Sequence, residues 1–576
     1  MNAIDLEVIY QSTLQIAREL TLNMLRTGYS TIIKESQDFT FAIFDGAGRM
    51  VAQGIPQPLH IGPLAAQVNE IRRRFSGRIE PGDAFIVNHP YAACQNHATD
   101  ITVISPMFED DRLVGFIGNI AHKPDLGGKV PGTNSGDATD LFQEGLLIPP
   151  LKILRRGELN GDVEALICAN TRTPEVTWGD IQAQVNTNSH GLTKFTELFG
   201  KHGTDNVLAC WLRWMDICET ELRKRIAEMP DGKYGPESDF LDDDGVDLAK
   251  PHRISASLAV EGDTLHFILD SDAQARGPVN LRPCVSRNFI ECLVKMVFIP
   301  ELPVNNGLSR PVRVSYPAEG SLLNPRFPAP VNMYVRPSQV TTAVIMRVLA
   351  QALPGRVPAP GSAAGGSLSS AGRDPRSGRW YSQYEILNGG TGARPDGDGV
   401  SAMDELVVNV MNTPVEAIES EFPVRVERYE LVTDSGGAGT FRGGLGVRRQ
   451  WRVLADETTV NLRMDRFKFS SPGVFGAKPA RPSQAMLNPG ADGERALTSK
   501  VAGLRLTRGD VLRVEFAGGG GWGDPRERDT ARVREDVARG YVSLASARQD
   551  YGVALDERLE LDLEATARLR RDETRR

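Results

Sequence analysis

His97 and Asp100 stand three residues apart in the stretch NHPYAACQNHATD (88–100), and His122 follows in HKPDLGGKVPG (122–132). The whole chain carries eight histidines. Two imidazoles with one or two carboxylates suit zinc, iron or manganese, leaving positions open for water or substrate. The same side chains could instead be hydrogen-bonding groups of a polar loop. Spacing alone leaves both readings open.

What would bring these residues together is a hairpin. ITVISPMF (101–108) and LVGFIGNIAH (113–122) read as strands separated by the short polar turn EDDR. Closed about 109–112, the ladder sets position 100 opposite position 121, so Asp100 and His122 reach the same end. Directly opposed side chains stand roughly 5 Å apart, a separation that one ion can bridge. In this register, however, the two point to opposite faces; a three-residue loop or a single bulge would put them on the same one.

The surrounding elements follow from periodicity and punctuation. Apolar residues at helical spacing predict a helix over 4–27 that stops at Gly28, and FTFAIFDGAGRMVAQG (39–54) reads as a hairpin around a D-G turn. AFIVN (84–88) adds a strand, while KPDLGGKVPGTNSGDATD (123–140) should be irregular. Consecutive helices are expected over 173–228, alternating strands over 252–271, a helix at NFIECLVKMVF, then a Pro- and Gly-rich region to about 400. Short strands punctuated by glycines fill 405–515. Helices return near 527–555, one ending at Gly540 and one capped by Ser543. The fold class is therefore α+β and multi-subdomain: a helical and β N-terminal half and a β-rich, glycine-punctuated C-terminal half. Its expected divisions are 1–250 around the metal-site residues, 251–400 mixed α/β, 401–525 β-rich, and 526–576 helices and tail. The charge-dense DERLELDLEATARLRRDETRR is read as a solvated helix or frayed tail.

Composition narrows the function classes. The 576 residues are 40% hydrophobic, with a net charge of −8 and no basic stripe interleaved with aromatics, which argues against a nucleic-acid partner. No apolar run approaches membrane-spanning length, and no secretory signal opens the chain. The six cysteines show no CxxC pair and no disulfide framework, so a reduced, cytoplasmic protein is expected, with Cys94 a small buried apolar group. GGGGWGD (518–524) lacks the Lys-Ser/Thr of a phosphate-binding loop; NGGTGARPDGDG and FRGGLG lack dinucleotide spacing. These glycines are expected to serve tight turns and close backbone packing. No GxSxG elbow offers a serine nucleophile.

Several separated motifs carry a resemblance. IKESQDFTFAIFDGAGRMVAQ (33–53), PLHIG (58–62), VNHPYAACQNHATDI (87–101), AHKPDLGGKVPGTNSGDATDLFQEGLLIPP (121–150), TPEVTWGDIQAQ (173–184), PVNNGLSRPVRVSYPAEGSLLNP (303–325), MNTPVEAIESEFP (411–423), FRGGLG and the stretch from GGGGWGDPRERD onward occur in order. In this the chain resembles the hydantoinase B/oxoprolinase family from about residue 4 to 555. The resemblance implies a divalent metal (zinc, manganese or iron) held by His97, Asp100 and His122, with Asp38 as a further ligand. Two departures stand out: His89 replaces an aspartate in the Asn-Asp-Pro-Tyr motif, and Lys123 replaces the second histidine of a pair.

Family membership further implies a hetero-oligomer in which a larger, hydantoinase A-type partner carries ATP and magnesium. The implied activity is ATP-dependent hydrolysis of a small cyclic amide: a hydantoin, a lactam or 5-oxoproline. The catalytic residues would be His97, Asp100 and His122, the metal acting as a Lewis acid, with Asp125, His60 and Glu144 as supporting groups. Alternatives from the same resemblance are a component of an ATP-dependent ketone carboxylase, of the acetone or acetophenone type, and a non-catalytic scaffold.

Overall fold

A computed structural model describes residues 2–54, 57–403 and 406–572. Its centre is a seven-stranded sheet in the order Met50–Gln53, Phe39–Asp45, Arg112–His122, Asp100–Glu109, Ala84–Val87, Leu151–Arg155, Glu158–Leu159. Strict alternation along the central strands sorts their side chains. Phe39, Phe41, Ile43, Ile117 and Ala121 face one way, packing on helices Ala3–Thr27, Pro174–His202 and Thr204–Ile226. Ala42, Phe44, Ile104, Phe116 and Ile120 face the other, packing with Leu64, Val68 and Ile71 of helix Ile61–Arg74. Both faces are covered, which is why these strands carry apolar residues on both sides.

The first helix and its stop at Gly28, the hairpin over 39–54, and the irregular 123–140 segment all form as expected. The Ser543 side chain caps helix Leu544–Gln549 by accepting from Ser546 N–H. The charged C-terminal stretch contains helix Leu563–Asp572; its last four residues lie outside the described residues.

A four-stranded sheet, in the order Val312–Ser315, Thr264–Ser271, His252–Glu261, Gly232–Leu241, packs with helices Pro283–Phe298 and Val335–Ala352 into the largest core. Sequence periodicity missed the second of these helices inside the Pro- and Gly-rich region. Nearly every residue of Val335–Ala352 is buried, so it has no polar face to generate a helical period, and Pro337 sits in its first turn. Two further sheets, one containing Gly366–Arg373, Trp380–Leu387 and Glu457–Arg463, complete the β-rich half.

The glycine-rich segments are packing devices, as the sequence suggests. A Cβ on Gly443 would lie 1.9 Å from the Gly519 carbonyl oxygen, and one on Gly444 2.1 Å from the Val400 carbonyl oxygen. The backbones thus touch directly, joined by Gly519 N–H to Gly444 O and Gly444 N–H to Thr391 O, each 2.9 Å. NGGTG, FRGGLG and GGGG are three segments of one close-packed backbone layer.

The cysteines require a correction. Cys94 is bonded to Cys284 across 190 residues of sequence, tying the loop before His97 to the start of helix Pro283–Phe298. No local spacing announces such a pair, because the fold alone brings the two together. Among the described residues no helix is long and apolar enough to cross a membrane.

Candidate metal centre

Three neighbouring strand ends supply a row of polar residues. Asp100 lies directly opposite His122, and Asp38 immediately precedes strand Phe39–Asp45, where the His122 N–H donates to the Asp38 carbonyl at 3.1 Å. All three continue, in steps of two, the rows of Ala42, Phe44, Ile104, Phe116 and Ile120 that face helix Ile61–Arg74. The facing left open by sequence is settled by a β-bulge. Met107 pairs with Gly115 but Phe108 with Leu113, so Val114 is the extra residue that moves the pairing by one.

Around this row the geometry is tight. Asp100 Oδ1 lies 3.0 Å from His122 Nδ1 and 3.1 Å from His97 Nε2. The candidate donor atoms of His97, Asp100 and His122 all lie within 4.8 Å of one another, and all three residues are buried. His60, at the end of the turn Pro58–His60 that leads into helix Ile61–Arg74, places Nε2 3.5 Å from Asp100 Oδ2 and 3.7 Å from Asp38 Oδ1. Asp38 Oδ2 stands 3.9 Å from His122 Nδ1. Asp38 and His60 therefore border the three-residue cluster rather than closing it.

Electrostatics follow from burial of two carboxylates among three imidazoles. Burial opposes ionisation of Asp100, yet His97, His60 and His122 hold it well below the usual carboxylate range. Burial likewise opposes protonation of His60, but the Asp100 and Asp38 carboxylates outweigh it and raise its pKa. At His122 burial wins, and the imidazole is held below its usual value.

A divalent ion fits the residues present. His122 Nε2 and His60 Nδ1 are buried without a hydrogen-bond partner among the described residues. Two imidazole nitrogens converge on a single carboxylate oxygen, an arrangement of donors that an ion can share. His97 is also braced from behind: its Nδ1 contacts Asn332 Oδ1 at 2.7 Å. Asn332 Nδ2 donates to the Thr133 carbonyl at 2.6 Å, and Glu144 accepts from Asn332 N–H at 2.7 Å and Val331 N–H at 3.0 Å. Such outer partners fix ring orientation at metal-binding histidines.

The other sequence candidates divide. Glu144 acts through Asn332; burial pushes its carboxyl up to about 8 despite the two backbone N–H groups it accepts. Asp125 lies elsewhere and folds the 123–140 segment, accepting from Gly127, Gly132 and Arg172 N–H and pairing with the Arg172 guanidinium. His89 Nδ1 accepts from Ala92 N–H at the start of the short helix Pro90–Ala93. Lys123 is buried and donates to the Ala121 carbonyl; burial lowers its pKa to about 8.

Sequence reasoning missed the opposite wall. Tyr334 meets the His97 ring edge-on at 5.0 Å, and Tyr384 lies 4.5 Å from the His122 ring. Arg463 bridges the wall, donating to Ser367 Oγ, the Asn332 carbonyl and Tyr384 OH. The cavity, about 60 Å³, is lined also by Gln57, Arg336, Gln339 and Asn388. These residues, Gln57 apart, lie hundreds of positions from His97, with no motif spacing to connect them.

A family model described as hydantoinase B/oxoprolinase matches residues 2–525. The chain belongs to the hydantoinase B/oxoprolinase family. Within that family it is 31% identical to the B component of a putative D-/L-hydantoinase from a Pseudomonas species, over 99% of this chain and 98% of that one. It is 32% identical to the beta chain of the caprolactamase of Pseudomonas jessenii, covering 98% and 99% of the two chains. The crystal structure of the ATP-dependent caprolactamase from that organism superposes with a TM-score of 0.93 over 99% of each chain, at 31% identity. The nucleotide-free acetone carboxylase shares the fold, with a TM-score of 0.92 over 99% of this chain and 83% of that one, at 18% identity.

Proposed function

We propose that this chain is the metal-bearing component of an ATP-dependent enzyme that opens a cyclic amide: a hydantoin, a lactam or 5-oxoproline. The observation that carries this reading is the buried convergence of His97, Asp100 and His122, bordered by Asp38 and His60. The hydantoinase and caprolactamase relatives, matched over nearly their full lengths, support the substrate class.

An amide carbonyl is a poor electrophile, which is the reason for coupling to ATP. Activation at the carbonyl oxygen belongs, in this reading, to a larger hydantoinase A-type partner carrying ATP and magnesium. A zinc, manganese or iron ion held by His97, Asp100 and His122, with Asp38 beside them, would supply Lewis acidity. The chain's own residues do the rest. Asn332 and Glu144 hold the His97 ring in one orientation. Tyr334, Tyr384 and Arg463 wall the cavity, keeping bulk water from the reacting ring.

The test is co-expression with the large partner and measurement of ATP hydrolysis against hydantoins, lactams and ketones, with and without bicarbonate. ATP hydrolysis coupled to ring opening of a hydantoin or lactam supports the proposal. Turnover confined to ketones with bicarbonate would make the chain part of a carboxylase instead. Full activity with a His97→Ala chain would leave it a scaffold.

A further inference from the structure

Across the cavity from the histidines, the first turns of helix Val335–Ala352 present Gln339. Its side chain is buried, at 3% exposure, yet neither Oε1 nor Nε2 has a hydrogen-bond partner among the described residues. Each unpaired buried polar group ordinarily costs about 1–3 kcal/mol. An apolar residue of similar size would avoid that penalty, and a carboxamide lining the cavity can pair instead with a molecule bound there. Gln339 lines the same cavity of about 60 Å³ as His97, Asp100 and His122. Gly365 lies against this wall, where a Cβ would come within 3.2 Å of Gln339 Nε2 and 2.4 Å of Asn388 Oδ1.

Resting on the cyclic-amide reading above, we infer that Gln339 reads the ring nitrogen of the substrate and is the specificity-determining residue of this site. A carboxamide suits that atom in each form it takes. As an amide N–H, or as the amine released on ring opening, the nitrogen donates, and Oε1 accepts. Once the carbonyl oxygen takes a phosphoryl group from ATP and the N–H proton is released to solvent, the nitrogen carries a lone pair and no proton, and Nε2 donates to it. Gln339 moves no proton itself; it offers a donor and an acceptor to one substrate atom whose character changes during the reaction. A cyclic ketone has carbon at that position and leaves both carboxamide atoms unpaired. Selection against the missing polar partner is the stronger kind, because the site's own buried group then stays unsatisfied.

The test uses the assembled enzyme with wild-type, Gln339→Leu and Gln339→Glu chains. KM is measured for hydantoin, 2-piperidone and ε-caprolactam, and the inhibition constant for cyclohexanone and cycloheptanone; thermal midpoint and bound metal are recorded for each. In Q339L the KM for lactams should rise about tenfold, as loss of one buried hydrogen bond implies. Its ketone inhibition constants should change less than about twofold, so the preference for nitrogen collapses while metal content holds and the thermal midpoint rises or stays level. Q339E, which accepts from the amide N–H but cannot donate to the activated nitrogen, should lose kcat while its lactam KM rises less than in Q339L. Equal lactam KM and an unchanged lactam-to-ketone ratio in Q339L would overturn the role of Gln339 and leave the cyclic-amide reading standing. Failure of the wild-type enzyme to open any of these three rings, or 5-oxoproline assayed beside them, would overturn both.

Discussion

Asp100 and His122 face each other across the central hairpin on one face of the sheet, 3.0 Å apart, because a single extra residue, Val114, bulges between them and the turn. Without that offset their side chains would diverge to opposite faces. The unshifted register of Phe39–Asp45 with Arg112–His122 sets Asp38, just before its strand, beside His122, so three strand ends present one polar row to the cavity.

Asn332 braces His97 without bordering the cluster through a charge of its own. Asn332→Ala should weaken binding of zinc or manganese by about 10–100-fold, as loss of an outer-shell partner does. Titration with a competing chelator measures this. Affinity equal to wild type would remove Asn332 from the site.

Glu144 gives a pH dependence. Its folded-state pKa, about 8, lies above the ordinary value of 4.5, so between those limits the folded chain binds more protons than the unfolded one. Stability from this group is therefore present below about pH 4.5 and is lost as pH rises to about 8. Denaturant unfolding at pH 5 and pH 8 should show Glu144→Gln losing less stability over that interval than wild type. Parallel curves for the two proteins would contradict it.

The Cys94–Cys284 bond closes a loop of 190 residues, for which chain entropy alone sets a ceiling of roughly 5 kcal/mol. Cys284→Ala, or reduction of the wild-type chain, should lower the thermal midpoint by several degrees. An unchanged midpoint, with thiol counting showing the bond intact in the untreated protein, would show the link to be energetically idle.

In the glycine layer, Gly444→Ala should prevent folding or cost about 3 kcal/mol or more, since its Cβ would overlap the Val400 carbonyl. Gly161→Ala, at the start of helix Gly161–Ala169 with nothing near its Cβ, should stay within about 0.5 kcal/mol. Equal melting curves for the two variants would refute close packing as the reason for the glycines.

Much of the sheet was legible because its strands are largely apolar runs closed by polar turns; EDDR and the D-G turn mark the two hairpins. Local pairing also brought Asp100 and His122 to one end. The bulge was not legible, since nothing in LVGFIGNIAH distinguishes Val114 from its neighbours. Helix Val335–Ala352 escaped because burial on all sides erases its period. Asn332, Tyr334, Tyr384 and Arg463 escaped for another reason: they reach the cavity only through packing of distant segments. The disulfide belongs with them, its two cysteines being neighbours in space alone.

The most direct test is metal analysis of the purified chain, after reconstitution with zinc, manganese or iron, in wild-type, Asp100→Asn and His122→Ala forms. About one tightly held divalent ion per wild-type chain is expected, with its loss in both variants and unchanged circular dichroism. A wild-type chain that takes up no ion, or an Asp100→Asn chain that retains it fully, would contradict it.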